Sequence, residues 1–191
     1  SALMITLGGF IRLTLKKMKI NISKIIILSF VIFFLSIFWQ GLKKNNNYDT
    51  KSLIGNQIGN FQLAKLDNNT QYISEKDLAE NTHTLINFFA SWCSPCRNEH
   101  KYLLNLSNEK KQIKIIGINF KDKKNNAMNF LNELGNPYDF VGTDSDGKIS
   151  ILFGIYGIPE SILVDSDLTI IKKIVGPIDQ FQYDKILKLI Q

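Results

Sequence analysis

Two cysteines, two histidines and two arginines in 191 residues set the first limits on this chain. A structural zinc site takes four Cys or His ligands, and His83 and His100 show no zinc-finger spacing to the cysteines. With Arg12 and Arg97 as the sole arginines, there is no arginine-rich run, and no aromatic RNA-binding signature accompanies the net charge of +6. That charge is concentrated beside an apolar run and fits an anionic membrane surface better than nucleic acid. No internal repeat is visible. The stretch Ile25–Trp39 carries no charge at all, and no small-x-small cleavage site follows it at Gln40-Gly41-Leu42-Lys43-Lys44.

What is present begins with that apolar run. Extended back to Ile20 it covers 20 residues, interrupted by Asn21 and Lys24, which is the length needed to cross about 30 Å of hydrocarbon. Every face is apolar, which argues against a core helix of a soluble domain. The sequence therefore predicts an uncleaved anchor over residues 20–40, with residues 1–19 cytoplasmic, a polar linker over 41–52 and one domain over 53–191. Arg12, Lys16, Lys17, Lys19 and Lys24 precede the span, and Lys43, Lys44 and Lys51 follow it. This excess puts the N-terminus inside and the domain outside the cytoplasm. Met18-Lys19, followed by the apolar run, reads as a natural start.

Both cysteines lie in Trp92-Cys93-Ser94-Pro95-Cys96, directly after the apolar segment Thr84–Ala90. A strand, then Cys-x-x-Cys, then a helix is the setting of a redox dithiol. The free N–H groups and positive end of the helix favour a thiolate on Cys93; in such motifs the first thiol's pKa falls to roughly 3.5–7.5. Cys96, one turn on, is placed to attack a mixed disulfide formed at Cys93. A purely structural disulfide closing so short a loop constrains little of the unfolded chain. Copper held by the two thiols and one histidine is a further reading.

Along the domain, Phe61–Leu66 and Gln71–Ile73 form a hairpin around Asp67–Thr70. Ser74 caps a short helix ending near Asn81. Strands follow at His83–Ala90, Ile113–Asn119 and Tyr138–Val141, with a turn at Asp144–Gly147. Ser161–Asp165 and Ile170–Val175 make a second hairpin. Helices are expected at Pro95–Glu109, with Leu103, Leu104 and Leu106 inward, at Asn125–Leu134 with Gly135 as its stop, and at Asp179–Ile190. Strands and helices alternating around one Cys-x-x-Cys imply an α/β domain of thioredoxin-like type. Its central mixed sheet is flanked by helices, with an N-terminal β-hairpin and a helix–strand insert between Asn119 and Ile155.

The stretches Leu53-Ile54-Gly55, Phe61-Gln62-Leu63, Asn87–His100, Gly117–Asp122, Leu134–Tyr138 and Gly154–Glu160, in that order, resemble membrane-anchored thioredoxin-like proteins of the CcmG/DsbE type. These are thiol–disulfide oxidoreductases of cytochrome c maturation. The resemblance implies a bacterial inner-membrane protein with its domain in the periplasm and a redox-active Cys93–Cys96 disulfide in place of any cofactor. It implies apocytochrome c or a maturation protein as partner, recharging by a membrane electron donor of the DsbD or CcdA type, and a cis Ile158–Pro159 peptide facing the cysteines. There the backbone is expected to pair with an extended substrate segment, with Trp92 covering the thiols and touching the partner. Glu99 and Glu160 are the candidate acids, as proton carriers for Cys96 or as like charges raising thiol pKa values; solvated carboxylates are the alternative for each. Asn87 stands where thioredoxin itself has a buried Asp, and a neutral amide cannot relay a proton. Arg97 is expected at the surface near Cys93, and His100 in a structural or solvent-facing role. A general disulfide reductase or oxidase, and a copper-binding thioredoxin-like module, are the competing functions.

Overall fold

The computed structural model describes residues 22–43, 53–68, 70–108 and 113–191. The proposed cytoplasmic segment and most of the linker lie outside the described residues. The chain forms two units, one holding the N-terminal helix and the other the domain from Leu53 onward.

Helix α1 (Ile22–Lys43) contains a 20-residue span, Ile22–Gly41, of mean hydropathy 2.4. The Ile, Leu, Val, Phe and Trp side chains between Ile22 and Trp39 are exposed all round. The helix runs three residues into the stretch read from sequence as linker.

In the domain, strand β1 (Gln62–Ala64) pairs antiparallel with β2 (Tyr72–Ser74). Helix α2 (Glu75–Ala79) follows, opened by a capping box in which the Ser74 N–H donates to Asp77 at 2.7 Å. Then come β3 (His83–Phe89), α3 (Ser94–Asn108), β4 (Lys114–Phe120), α4 (Lys124–Leu134) and β5 (Phe140–Asp144). The chain closes with α5 (Lys148–Leu152), β6 (Glu160–Asp165), β7 (Ile170–Val175) and α6 (Gln180–Ile190). Five strands make one sheet in the order β5-β4-β3-β6-β7, parallel from β5 to β3 and antiparallel beyond.

The alternation of β3 divides the core. Leu85 and Phe89 face one side with Leu103 and Leu106 of α3, Ala127 and Phe130 of α4 and Ile186 of α6. Ile86 and Phe88 face the other with Leu63, Ile73, Leu78 and Phe153. Period-two side chains on a strand buried on both faces produce such a division.

Three details differ from the sequence reading. Strand β5 begins at Phe140, because Tyr138 N–H is held by Asn136 Oδ1 at 3.1 Å and the Tyr138 ring turns into the core. Helix α5 was not expected: Asp144, buried at the end of β5, accepts from Ser150 N at 2.9 Å and Ser150 Oγ at 2.6 Å and so organises a single short turn. Leu104 is half-buried, whereas Cys96, Glu99, His100, Leu103 and Leu106 form the inward stripe of α3.

Candidate redox site

The site sits at the C-terminal end of β3, where the chain leaves the sheet and enters α3. Cys93 and Cys96 form a disulfide with Cα atoms 5.3 Å apart. The Cys96 backbone N–H, one of the unpaired donors of the helix's first turn, points at Cys93 Sγ at 3.2 Å. The pair is largely enclosed, with Cys93 at 4% exposure and Cys96 at 1%.

The turn before Cys93 is held from the β4–α4 connection. Asp122 accepts from Ser91 N at 2.7 Å and Ser91 Oγ at 3.0 Å, and also from Asn119 Nδ2 and Lys123 N. Trp92 donates its ring N–H to Lys121 O at 3.3 Å while 59% of the residue stays exposed. An apolar indole is thus presented to solvent beside the disulfide.

One turn beyond Cys96, Glu99 is 1% exposed. Its carboxylate accepts from Asn87 Nδ2 at 2.9 Å and from Ile178 N at 2.8 Å. Burial lifts its pKa to about 7, outweighing the two donors that favour the ionised form. Asn87 also donates to Ser161 Oγ at 3.0 Å and accepts from Tyr138 Oη at 2.8 Å. The Tyr138 pKa is raised well above its usual value by burial and then by the nearby Glu99, so the phenol stays a donor. The ring lies over Gly117, the β4 residue beside Asn87, where an added Cβ would sit 2.8 Å from it. Asn87 therefore orients Glu99 in place of carrying a proton itself.

Glu160, the first residue of β6, is 2% exposed and is engaged by both oxygens. Oε1 accepts from Tyr156 N and Gly157 N, each at 3.0 Å, and Oε2 forms an ion pair with Lys173 Nζ at 3.0 Å. Neither glutamate is solvated. The Ile158–Pro159 peptide is cis, as the resemblance implied. Glu160 is in register with Phe88, which brings Pro159 level with the last residue of β3 and onto the end of the sheet that carries the cysteines. Ile158 is half-buried and packs against both halves of the core.

Arg97 is a surface residue, but its guanidinium is committed to a two-bond pair with Glu133, at 2.8 and 2.9 Å, and lies over Phe130. His100 is buried and structural: Nε2 contacts Gly135 O at 2.8 Å, its ring meets Phe130 edge-on, and burial lowers its pKa. Among the described residues no group of three His, Cys, Asp or Glu side chains is placed to hold a metal ion. Sequence reasoning gave no role to Asp122 and Tyr138, although both lie in motifs that carry the resemblance, and passed over Lys173. The last had a readable signal, the pair Lys172-Lys173 inside the apolar strand Ile170–Val175, since a lysine buried there needs a counter-charge.

The redoxin family profile matches residues 53–187. The thiol:disulfide interchange protein DsbE of Escherichia coli is 36% identical over 155 residues, covering 78% of this chain and 82% of that protein. This chain belongs to the redoxin family, among the DsbE-type thiol:disulfide interchange proteins. CycY of Rhizobium leguminosarum bv. viciae is 54% identical over 94 residues, about half of each protein. A crystal structure from Chlorobium tepidum, described as a DsbE thiol:disulfide interchange protein, shares the fold with a TM-score of 0.63. It is 24% identical and covers 72% of this chain and 98% of that one. This redoxin is a thiol:disulfide oxidoreductase.

Proposed function

We propose that this oxidoreductase is a reductant held on the outer face of a bacterial inner membrane, acting on disulfides of apocytochrome c or of its maturation partners. The observation that carries the mechanism is the Cys96 N–H aimed at Cys93 Sγ at a helix N-terminus, with a buried acid of pKa about 7 one turn behind. In the reduced protein the Cys93 thiolate attacks one sulfur of the substrate disulfide, forming a mixed disulfide and releasing one substrate thiolate. Cys96 then loses its proton, with Glu99 as acceptor, and attacks Cys93 Sγ. The second substrate thiolate leaves, both released thiolates take up protons, and the Cys93–Cys96 disulfide described above remains. Two electrons have passed to the substrate, and a membrane donor of the DsbD or CcdA type returns them. An acid with a pKa near 7 is matched to proton transfer at neutral pH.

Trp92, Ile158 and Pro159 are the substrate-contacting residues, with an extended segment of the partner laid beside the backbone before β6. The lysine-rich flank of α1 supports the orientation, and anchoring raises the effective concentration of donor and acceptor. The cytochrome c role is supported by the motifs shared with the CcmG/DsbE type; a general periplasmic reductase or oxidase is the alternative.

The equilibrium reduction potential of the Cys93–Cys96 pair tests the direction. A value near roughly −270 mV supports reduction, and one near roughly −120 mV points to disulfide donation. Cys93→Ser is expected to abolish exchange, and Cys96→Ser to accumulate a mixed disulfide with the substrate. Normal turnover without Cys93 would sink the mechanism.

A further inference from the structure

Lys173 lies on β7, separated by β6 from the strand that leads into the cysteines, and belongs to no part of the exchange chemistry. Its side chain is 0% exposed. A buried ammonium is retained only where its charge is met and its donors are used. Here it forms the ion pair with Glu160 Oε2, donates to Gly154 O and lies 5.3 Å from the centre of the Tyr156 ring. Glu160 in turn takes the Tyr156 and Gly157 N–H groups. One ammonium and one carboxylate therefore occupy three backbone groups of the seven-residue stretch Gly154–Glu160 and fix both its ends. Between those ends lie Ile158 and Pro159. Further support comes from the sheet, since Lys173 pairs in register with Ile162 and Glu160 with Val175 on the same two strands.

From this we infer that Lys173 is a positioning residue for substrate recognition: through Glu160 it sets the loop that receives an extended disulfide-bearing polypeptide. The inference rests on the proposed docking role of Ile158–Pro159. It makes Glu160 a clamp on that loop, both of its oxygens being committed to the loop and to Lys173. It also separates two kinds of substrate. A small disulfide needs only to reach the Cys93 sulfur, whereas a polypeptide disulfide needs the loop in place as well. Arginine keeps the charge and adds donors, so it preserves the clamp; methionine keeps the apolar stem and removes the charge.

The test uses the full chain in detergent micelles, with Lys173→Met, Lys173→Arg and the double variant Lys173→Met/Glu160→Gln, which leaves no unpaired buried charge. Each is assayed on oxidised glutathione and on a disulfide-bonded Cys-x-x-Cys-His peptide, beside Trp92→Ala and Pro159→Ala as direct changes to the docking surface. Lys173→Met and the double variant are expected to raise KM for the peptide at least about tenfold with kcat little changed. In Lys173→Met, glutathione exchange and the Cys93 thiol pKa stay at parental values, and Lys173→Arg keeps the parental peptide KM. If peptide and glutathione rates fall together, or the Cys93 pKa moves, Lys173 acts on the thiols or on the whole fold and the inference is overturned. If Trp92→Ala and Pro159→Ala raise the peptide KM while the Lys173 variants do not, the inference fails and the docking reading stands. If none of them separates the two substrates, the docking reading itself fails.

Discussion

At the scale of single residues, the buried Glu99 gives the stability of the fold a pH dependence. Its carboxyl group has a pKa of 4.5 when solvated and about 7 in the fold, chiefly through burial. Because the native pKa is the higher one, the native state favours the neutral acid. The associated stability is complete below the unfolded value and is lost as pH rises through about 7. The gap is worth about 3 kcal/mol. Glu99→Gln is therefore expected to gain about 3 kcal/mol on the parent protein between about pH 4 and about pH 9, in urea unfolding of the oxidised form. A difference that stays constant across that range would show that Glu99 is not the buried titrating acid. Tyr138→Phe tests the chain of donors behind it. Asn87 Oδ1 then loses its partner, and the expected cost is about 1–3 kcal/mol, read from the same unfolding curves.

At the scale of elements, the cysteines depend on a connection distant in sequence. The turn that carries Trp92 and Cys93 is held by Asp122, which lies after β4 and bonds both Ser91 and the entry to α4. Asp122→Ala is expected to lower stability by about 1–3 kcal/mol, and amide exchange should quicken at Ser91–Cys93. Unchanged protection there would mean the turn holds its shape without the tether. The β4 strand contributes a second requirement at Gly117. A methyl group there would meet the Tyr138 ring at 2.8 Å, so Gly117→Ala has to displace the phenol that holds Asn87. The expected readout is a Glu99 titration moved from about 7, followed by carboxyl spectroscopy. A parental titration would show that the strand adapts at no cost to the site.

At the scale of the whole molecule, the described structure holds an apolar helix with no core around it and a domain with a complete one. The domain's sheet is buried on both faces by its own elements. A chain beginning at Leu53 is expected to be soluble and to keep oxidised-glutathione exchange at the parental rate, while the full chain resists alkaline extraction from membranes. Extraction of the full chain with peripheral proteins would remove the anchor from the account.

The sequence by itself determined the parts that rest on local pattern: the apolar span, the period-two strands, the Cys-x-x-Cys at a strand-to-helix junction and the order of α and β elements. Each is written in residues a few positions apart, where periodicity and helix-end chemistry decide the outcome. Glu99 and Glu160 were legible as acids near the cysteines, because one lies a turn from Cys96 and the other adjoins Pro159. Their surroundings were decided only by the tertiary structure. Asn87 and Ile178 donate to Glu99 and Tyr138 holds Asn87, from three separate segments, and Lys173 reaches Glu160 from the next strand. Burial and charge pairing depend on which elements the sheet brings together, and one-dimensional spacing does not encode that. Helix α5 escaped notice for a related reason: a five-residue turn has too little periodicity to read, and it is organised by the buried Asp144 carboxylate.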